Sequence, residues 1–213
     1  MHEKFENRFR TTSARLPGWD YGSHGLYYIT ICTKNRLHYF GNIVANQRVE
    51  THNYASLQNT IIGINAHNPA SSQNNNIGVE THNYASLQMT PIGEIAHKNW
   101  LDIPNHFPFV ELDKFVVMPN HIHGILFINK PDKIDWQPNK FGSQSQNLAS
   151  IIRSYKGSVK THATTNNIEF AWQPRYYDRI IRNEKEYINV REYIFNNPDN
   201  WLLNGDNEDN LYL

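Results

Sequence analysis

The stretch FVVMPNHIHGILFI, Phe115 to Ile128, decides how the rest of the chain is read. Two apolar runs flank His121 and His123, which stand two residues apart. Side chains alternate along an extended strand, so both imidazoles emerge on one face. Val116, Val117, Ile125, Leu126, Phe127 and Ile128 are apolar at both parities, the pattern of a central strand covered on both sides. Two polar rings in that setting cost free energy unless they are hydrogen-bonded or bind an ion. Histidine is the commonest metal ligand, and a His-x-His strand pair makes a half-site. Spacing alone leaves the alternative open: two histidines satisfied by backbone and by each other.

A chain of 213 residues with 39% hydrophobic content is long enough to bury a core, and one domain spanning 1–213 is expected. The formal net charge is zero, but its distribution is uneven. Residues 1–48 carry seven Lys/Arg against three Asp/Glu, and 151–198 carry eight against five. The tail 199–213 is polar and acidic, with four acids (Asp199, Asp206, Glu208, Asp209) and no Lys or Arg. A neutral total can therefore hold a basic working face. Cys32 is the single cysteine, which excludes an intrachain disulfide and suits a reducing compartment. No apolar stretch approaches a membrane span, and Met1 to Arg10 lacks the apolar core of a signal peptide. A soluble cytoplasmic protein is expected.

Working outward, Leu26 to Thr33 (LYYITICT) reads as a strand, and Lys34-Asn35-Arg36 as its polar exit. VETHNYASLQ occupies 49–58 and returns unchanged at 79–88. Two copies are too few for a solenoid. After the second copy, Thr90-Pro91 supplies an N-cap and a first-turn proline, followed by Ile92, Ile95, Ala96 and Trp100 at helical spacing. The first copy runs into Asn68-Pro69 and SSQNNNIG, so it reads as a duplicated insert, about 49–78, looped out at the surface. The repeated His52/His82 and His67/His97 are then poor metal candidates. Leu148, Ile151, Ile152, Tyr155 and Val159 share one helical face. The last helix starts at a capping box, Asn183 with Glu186, and is expected to stop at Pro198.

On that helix Tyr193 and Asn197 are four residues apart and share a face. If the face meets the histidine strand, two imidazoles and an amide oxygen leave open positions for a hard cation. Magnesium or manganese suits such a set, and imidazole alone also suits zinc. The competing reading makes Tyr193 a half-buried packing residue and Asn197 a C-terminal cap.

MPNHIHGI, SYKGSVK, WQPRYYDRIIRN and EYIFNNP, in this order, resemble the REP-associated tyrosine transposases, the single-tyrosine branch of the HUH endonucleases. TTSARLPGWDYGSHGLYYITICTKNR is also similar to that family's N-terminus, so the resemblance covers most of 8–201. It implies an α+β fold: a compact antiparallel sheet with flanking helices, ferredoxin-like in style. It puts His121 and His123 on the family's histidine pair, Tyr193 on its catalytic tyrosine, and Asn197 where relatives carry a third metal ligand. It implies cleavage of one DNA strand through a 5′-phosphotyrosine link and rejoining of ends, with Mg2+ or Mn2+. The implied partner is single-stranded or hairpin DNA, in the cytoplasm at the nucleoid and away from membranes, with monomer and homodimer both open. The insert, the acidic tail and the zero net charge depart from the pattern.

Trp172, Tyr176 and Tyr177 alternate with Arg175, Arg179 and Arg182 just before the last helix. Aromatics stack on unpaired bases and arginines pair with phosphates, so this stretch is the candidate DNA face. Arg153, Lys156 and Lys160 on the preceding helix extend it; aromatics in the core and a solvated arginine rim is the other reading. Three functions stay in play: a DNA transesterase, a hairpin-binding protein with a degenerate site, and a metal-dependent hydrolase using water.

Overall fold

The structure, a computed structural model, describes residues 4–5, 8–9, 19–53, 77–130 and 146–205; for 4–5, 8–9, 46–53 and 77–84 it describes the backbone alone. Two short strands, β1 (Lys4–Phe5) and β2 (Arg8–Phe9), pair with each other. The central sheet is built from β3 (Gly25–Cys32), β6 (Val110–Met118), β7 (His121–Ile128) and β8 (Tyr177–Ile181). Its spatial order is β6-β7-β3-β8, antiparallel throughout. Helix α1 (Pro91–Leu101) and the short α2 (Ile103–His106) connect β3 to β6, and α3 (Leu148–Thr165) connects β7 to β8. That is a β-α-β-β-α-β succession with the ferredoxin-like strand order, so the expected α+β class holds.

Parity along the strands sorts side chains between two layers. Tyr27, Ile29, Ile31, Ile122, Leu126 and Ile128 join Ile92, Ala96, Trp100, Ile151, Ile152, Tyr155 and Val159 in the larger core, under α1 and α3. Tyr28, Ile125 and Ile181 face the other way and pack with Val190 and Ile194 of α4 (Glu184–Asn204). Burying side chains of this size contributes about 1.5–3 kcal/mol each. Gly124 is what lets Trp100 lie on β7: an added Cβ would collide with the indole ring. The helices are capped as their sequences suggest. Thr90 Oγ1 accepts from Gly93 N, and Asn147 with Ser150 forms a complete capping box.

Three expectations are corrected. His121 and His123 do open a strand buried on both faces, but Phe115 to Ile128 is a hairpin rather than one strand, with Pro119-Asn120 turning between Met118 and His121. The last helix runs through Pro198 to Asn204, so Asn197 is an interior residue and no cap, and the acidic tail begins inside a helix. At its start Asn183 Oδ1 accepts from Glu186 N, but Glu186 Oε2 accepts from Arg182 N, one residue before the cap, and its Oε1 pairs with Arg179. The reciprocal half of the box is thus displaced by one residue.

The duplicated segment is partly in a strand. β4 (Gly41–Asn53) and β5 (Ile77–Met89) form a separate two-stranded ribbon, in register from Gly41↔Met89 to Asn53↔Ile77. VET of the first copy (49–51) therefore pairs antiparallel with VET of the second (79–81), Glu50 opposite Glu80. The second copy leads into α1 through strand, and the rest of the first, 54–76, lies outside the described residues. The ribbon reaches α4, where the Asp199 carboxylate accepts from Ala85 N at 2.7 Å.

Candidate metal and tyrosine site

His121 and His123 open β7 on the face that meets α4, and both are buried. Their rings lie 4.5 Å apart, centroid to centroid. Burial depresses both imidazoles, His121 well below the usual range and His123 to about 3, so both are neutral at pH 7. Neutral imidazole is the form that ligates metals.

The hydrogen-bond network decides which nitrogen is available. His121 Nδ1 is 2.7 Å from Asn120 Oδ1, which accepts the ring N–H. Its Nε2 is then a buried lone pair with no hydrogen-bond partner among the described residues. His123 Nδ1 lies 2.8 Å from the Tyr28 hydroxyl and 3.0 Å from Thr30 Oγ1. With Nδ1 donating to one of these, Nε2 again carries the lone pair, and the Tyr193 hydroxyl stands 3.4 Å from it. Backing of each ligand nitrogen by an oxygen on the far side of the ring is the usual support for a metal-binding histidine.

Asn197 is buried one turn after Tyr193, and its carboxamide interacts with both the His121 ring and the Tyr193 hydroxyl. Burial raises the Tyr193 phenol; the contacts with Asn197 and Tyr28 pull it down. The four residues expected at the site, His121, His123, Tyr193 and Asn197, thus converge. Among the described residues no cluster of three or more His, Cys, Asp or Glu could hold a metal.

Tyr28, Thr30 and Asn120 were missed from sequence. The alternation in LYYITICT puts Tyr28 and Thr30 on one face, but only the β3–β7 register, with Thr30 opposite His123, makes that face the site. Asn120 had no signal beyond its place next to His121. Tyr155, on the apolar face of α3, is on the opposite layer, buried with its hydroxyl donating to Ala96 O at 2.9 Å.

The candidate DNA face divides. Lys156 Nζ donates to Gln173 O and Arg175 O, and Lys160 Nζ to Phe170 O, so these amines fasten the 170–175 segment to α3. Trp172 and Tyr176 pack against the larger core, with the Trp172 indole N–H on Lys156 O. Arg153 is exposed on α3, which covers the layer away from the histidines. Tyr177 and Arg179 do face α4: the Tyr177 ring is 6.3 Å from Tyr28, and Arg179 pairs with Glu186 at 2.6 Å. With exposed Arg182 and Asn183 they line an open cavity of about 400 Å³ beside β8. Arg175 is exposed, with φ at +66°.

No protein-family model matches the chain. It is 32% identical over 210 residues to an uncharacterized protein of Haemophilus influenzae, covering 94% of this chain and 92% of that one. It is 32% identical over 91 residues to the REP-associated tyrosine transposase of Escherichia coli K12, covering 43% of this chain and 45% of the transposase. A solved structure of a REP-associated tyrosine transposase bound to a REP hairpin aligns with a TM-score of 0.47 at 17% identity, over 87% of this chain and 73% of that one. No helix among the described residues is long and apolar enough to cross a membrane. With one relative along nearly its whole length, a named transposase along part of it, and the ordered motifs ending in EYIFNNP, the chain belongs to the family of the REP-associated tyrosine transposases.

Proposed function

We propose that the protein is a metal-dependent single-strand DNA transesterase that cuts and rejoins DNA at palindromic or hairpin sequences, with Tyr193 as its nucleophile. The observation that carries this reading is the meeting of the Tyr193 hydroxyl with His123 Nε2, beside the orphaned His121 Nε2 and Asn197. The E. coli relative bears the name tyrosine transposase, and the aligned structure holds a REP hairpin; the same class of partner is proposed here.

The residues fit a divalent cation. Two neutral imidazoles present their Nε2 lone pairs, and a carboxamide oxygen adds a hard donor, a set suited to Mg2+ or Mn2+. When bound, such an ion polarises a phosphate oxygen and stabilises the charge that develops on it. The chain's own chemistry is the displacement. The phenol oxygen of Tyr193 attacks phosphorus and gives up its proton; the new bond is tyrosine O–P on the 5′ side. The bond to the 3′ oxygen breaks, and that oxygen takes up a proton to leave as a 3′-hydroxyl. Rejoining reverses the step, so the phosphodiester energy is kept in the covalent link. A phenol of reference pKa about 10 is a weak nucleophile at neutral pH, and burial weakens it further. The contacts from Asn197 and Tyr28 act in the helpful direction. One lone pair on His123 cannot serve both the phenol proton and a ligand role. A cation held by His123 Nε2 would take the acceptor that the Tyr193 hydroxyl now meets.

Labelled single-stranded palindromic DNA incubated with the protein and manganese, then run on a denaturing gel, tests this. A covalent protein–DNA band is expected, lost on chelation and in Tyr193→Phe. Intact DNA that is merely bound would assign the protein to hairpin binding, and cleavage without a covalent band would assign attack to water.

A further inference from the structure

Trp201 lies four residues beyond Asn197 and eight beyond Tyr193, which puts the three on one stripe of α4. It is there because the helix continues through Pro198. Its indole is 5.9 Å from the His121 ring at an interplanar angle of 39°, and 5.5 Å from His38 at 61°. Packing does not account for it. Trp100 and Trp172 belong to the larger core, whereas Trp201 belongs to neither apolar cluster. Trp201 is half-buried. His38, exposed in the loop that follows β3, stands at the edge of the same ring.

We propose that Trp201, flanked by His38, is a single-stranded nucleotide subsite: a stacking platform for an unpaired base next to the phosphate that Tyr193 attacks. The inference rests on the DNA-strand reading above and adds the group that grips the strand. A broad, rigid, half-buried ring suits a base, and every base has a π-face to offer, so the grip is sequence-tolerant. The position fits as well. Four helical residues carry Trp201 about 6 Å along the axis past Asn197. A nucleotide whose phosphate sits between Tyr193 and the two histidines reaches the indole with its own base or its neighbour's. Trp201 is in this account a positioning residue; it holds the strand while Tyr193 and the histidines act on the phosphate.

The test compares two fluorescently labelled strands by anisotropy: a deoxythymidine oligomer and an abasic oligomer of the same length. Both carry the phosphates, and only the first carries bases. Wild type is expected to prefer the deoxythymidine strand. Trp201→Leu keeps apolar bulk without the π-face and should lose roughly 5- to 100-fold in affinity for deoxythymidine while binding the abasic strand as before. Trp201→Phe should recover most of the preference, and the melting temperatures of all three proteins should agree. Equal loss on both strands, or no loss on either, would make the indole a structural residue and overturn the subsite. If wild type binds neither strand, the DNA-strand reading itself fails, and the subsite with it.

Discussion

Asn120 holds three partners at once. Its Oδ1 takes the His121 N–H, its Nδ2 donates to Arg36 O, and its carbonyl accepts from Thr33 N and Thr33 Oγ1. The loop after β3 is thereby tied to the turn that presents the histidine strand. Tyr28 does the matching work for His123, with Thr30 as a second oxygen on the same nitrogen. Tyr28→Phe should therefore lower manganese affinity by about 10- to 100-fold, nearer the lower end because Thr30 remains. Titration of the variant with manganese would show this, and an unchanged affinity would remove Tyr28 from any supporting role. At this scale the sequence was half legible. The His-x-His spacing and the Tyr193-Asn197 spacing each name a face. The oxygens behind the His123 ring come from residues 93 and 95 positions away, and no local pattern reaches that far.

Among the elements, β7 carries the most constraint. Its odd positions hold His121, His123 and Ile125 toward α4, while its even positions hold Ile122, Leu126 and Ile128 toward α1 and α3. Gly124 sits on the second face under Trp100. Gly124→Ala should destabilise the protein by about 1–3 kcal/mol, since the added methyl displaces a fully buried indole. Chemical denaturation measures it; a neutral result would mean that α1 shifts freely on the sheet. The faces of α1 and α3 were readable because apolar residues recur at helical spacing beside good caps. The end of α4 was not. Proline biases against helix before it and removes one N–H, yet a tertiary anchor holds the next turns: the Asp199 carboxylate on the ribbon.

In the central sheet, the strand order β6-β7-β3-β8 places the histidine strand next to the centre, and among the described residues α4 is the helix on its histidine face. Both crossover helices lie on the other face, so among the described residues the site is built where one helix competes for space. The ribbon is a separate sheet packed on this frame at its base, where Leu87 and Met89 meet the larger core, and its register predicts that the duplication can be removed. Removing 49–78 joins Arg48 to Val79, and the Arg48↔His82 pair then closes a three-residue loop, Val79-Glu80-Thr81, with pairs from Gly41↔Met89 kept. The shortened chain should melt within about 4 °C of the full one. A lost or uncooperative transition would show the extra ribbon to be part of the fold. The ribbon was invisible from sequence because its two largely polar strands carry no continuous apolar stripe to fix their pairing. The central claim, that Tyr193 is the nucleophile of a site formed with His121, His123 and Asn197, is tested most directly by mass spectrometry of the trapped protein–DNA product after digestion. A nucleotide on the peptide containing Tyr193, and no product from His123→Ala, is the result predicted. A nucleotide on Tyr155 or any other residue, or full product from His123→Ala, would contradict it.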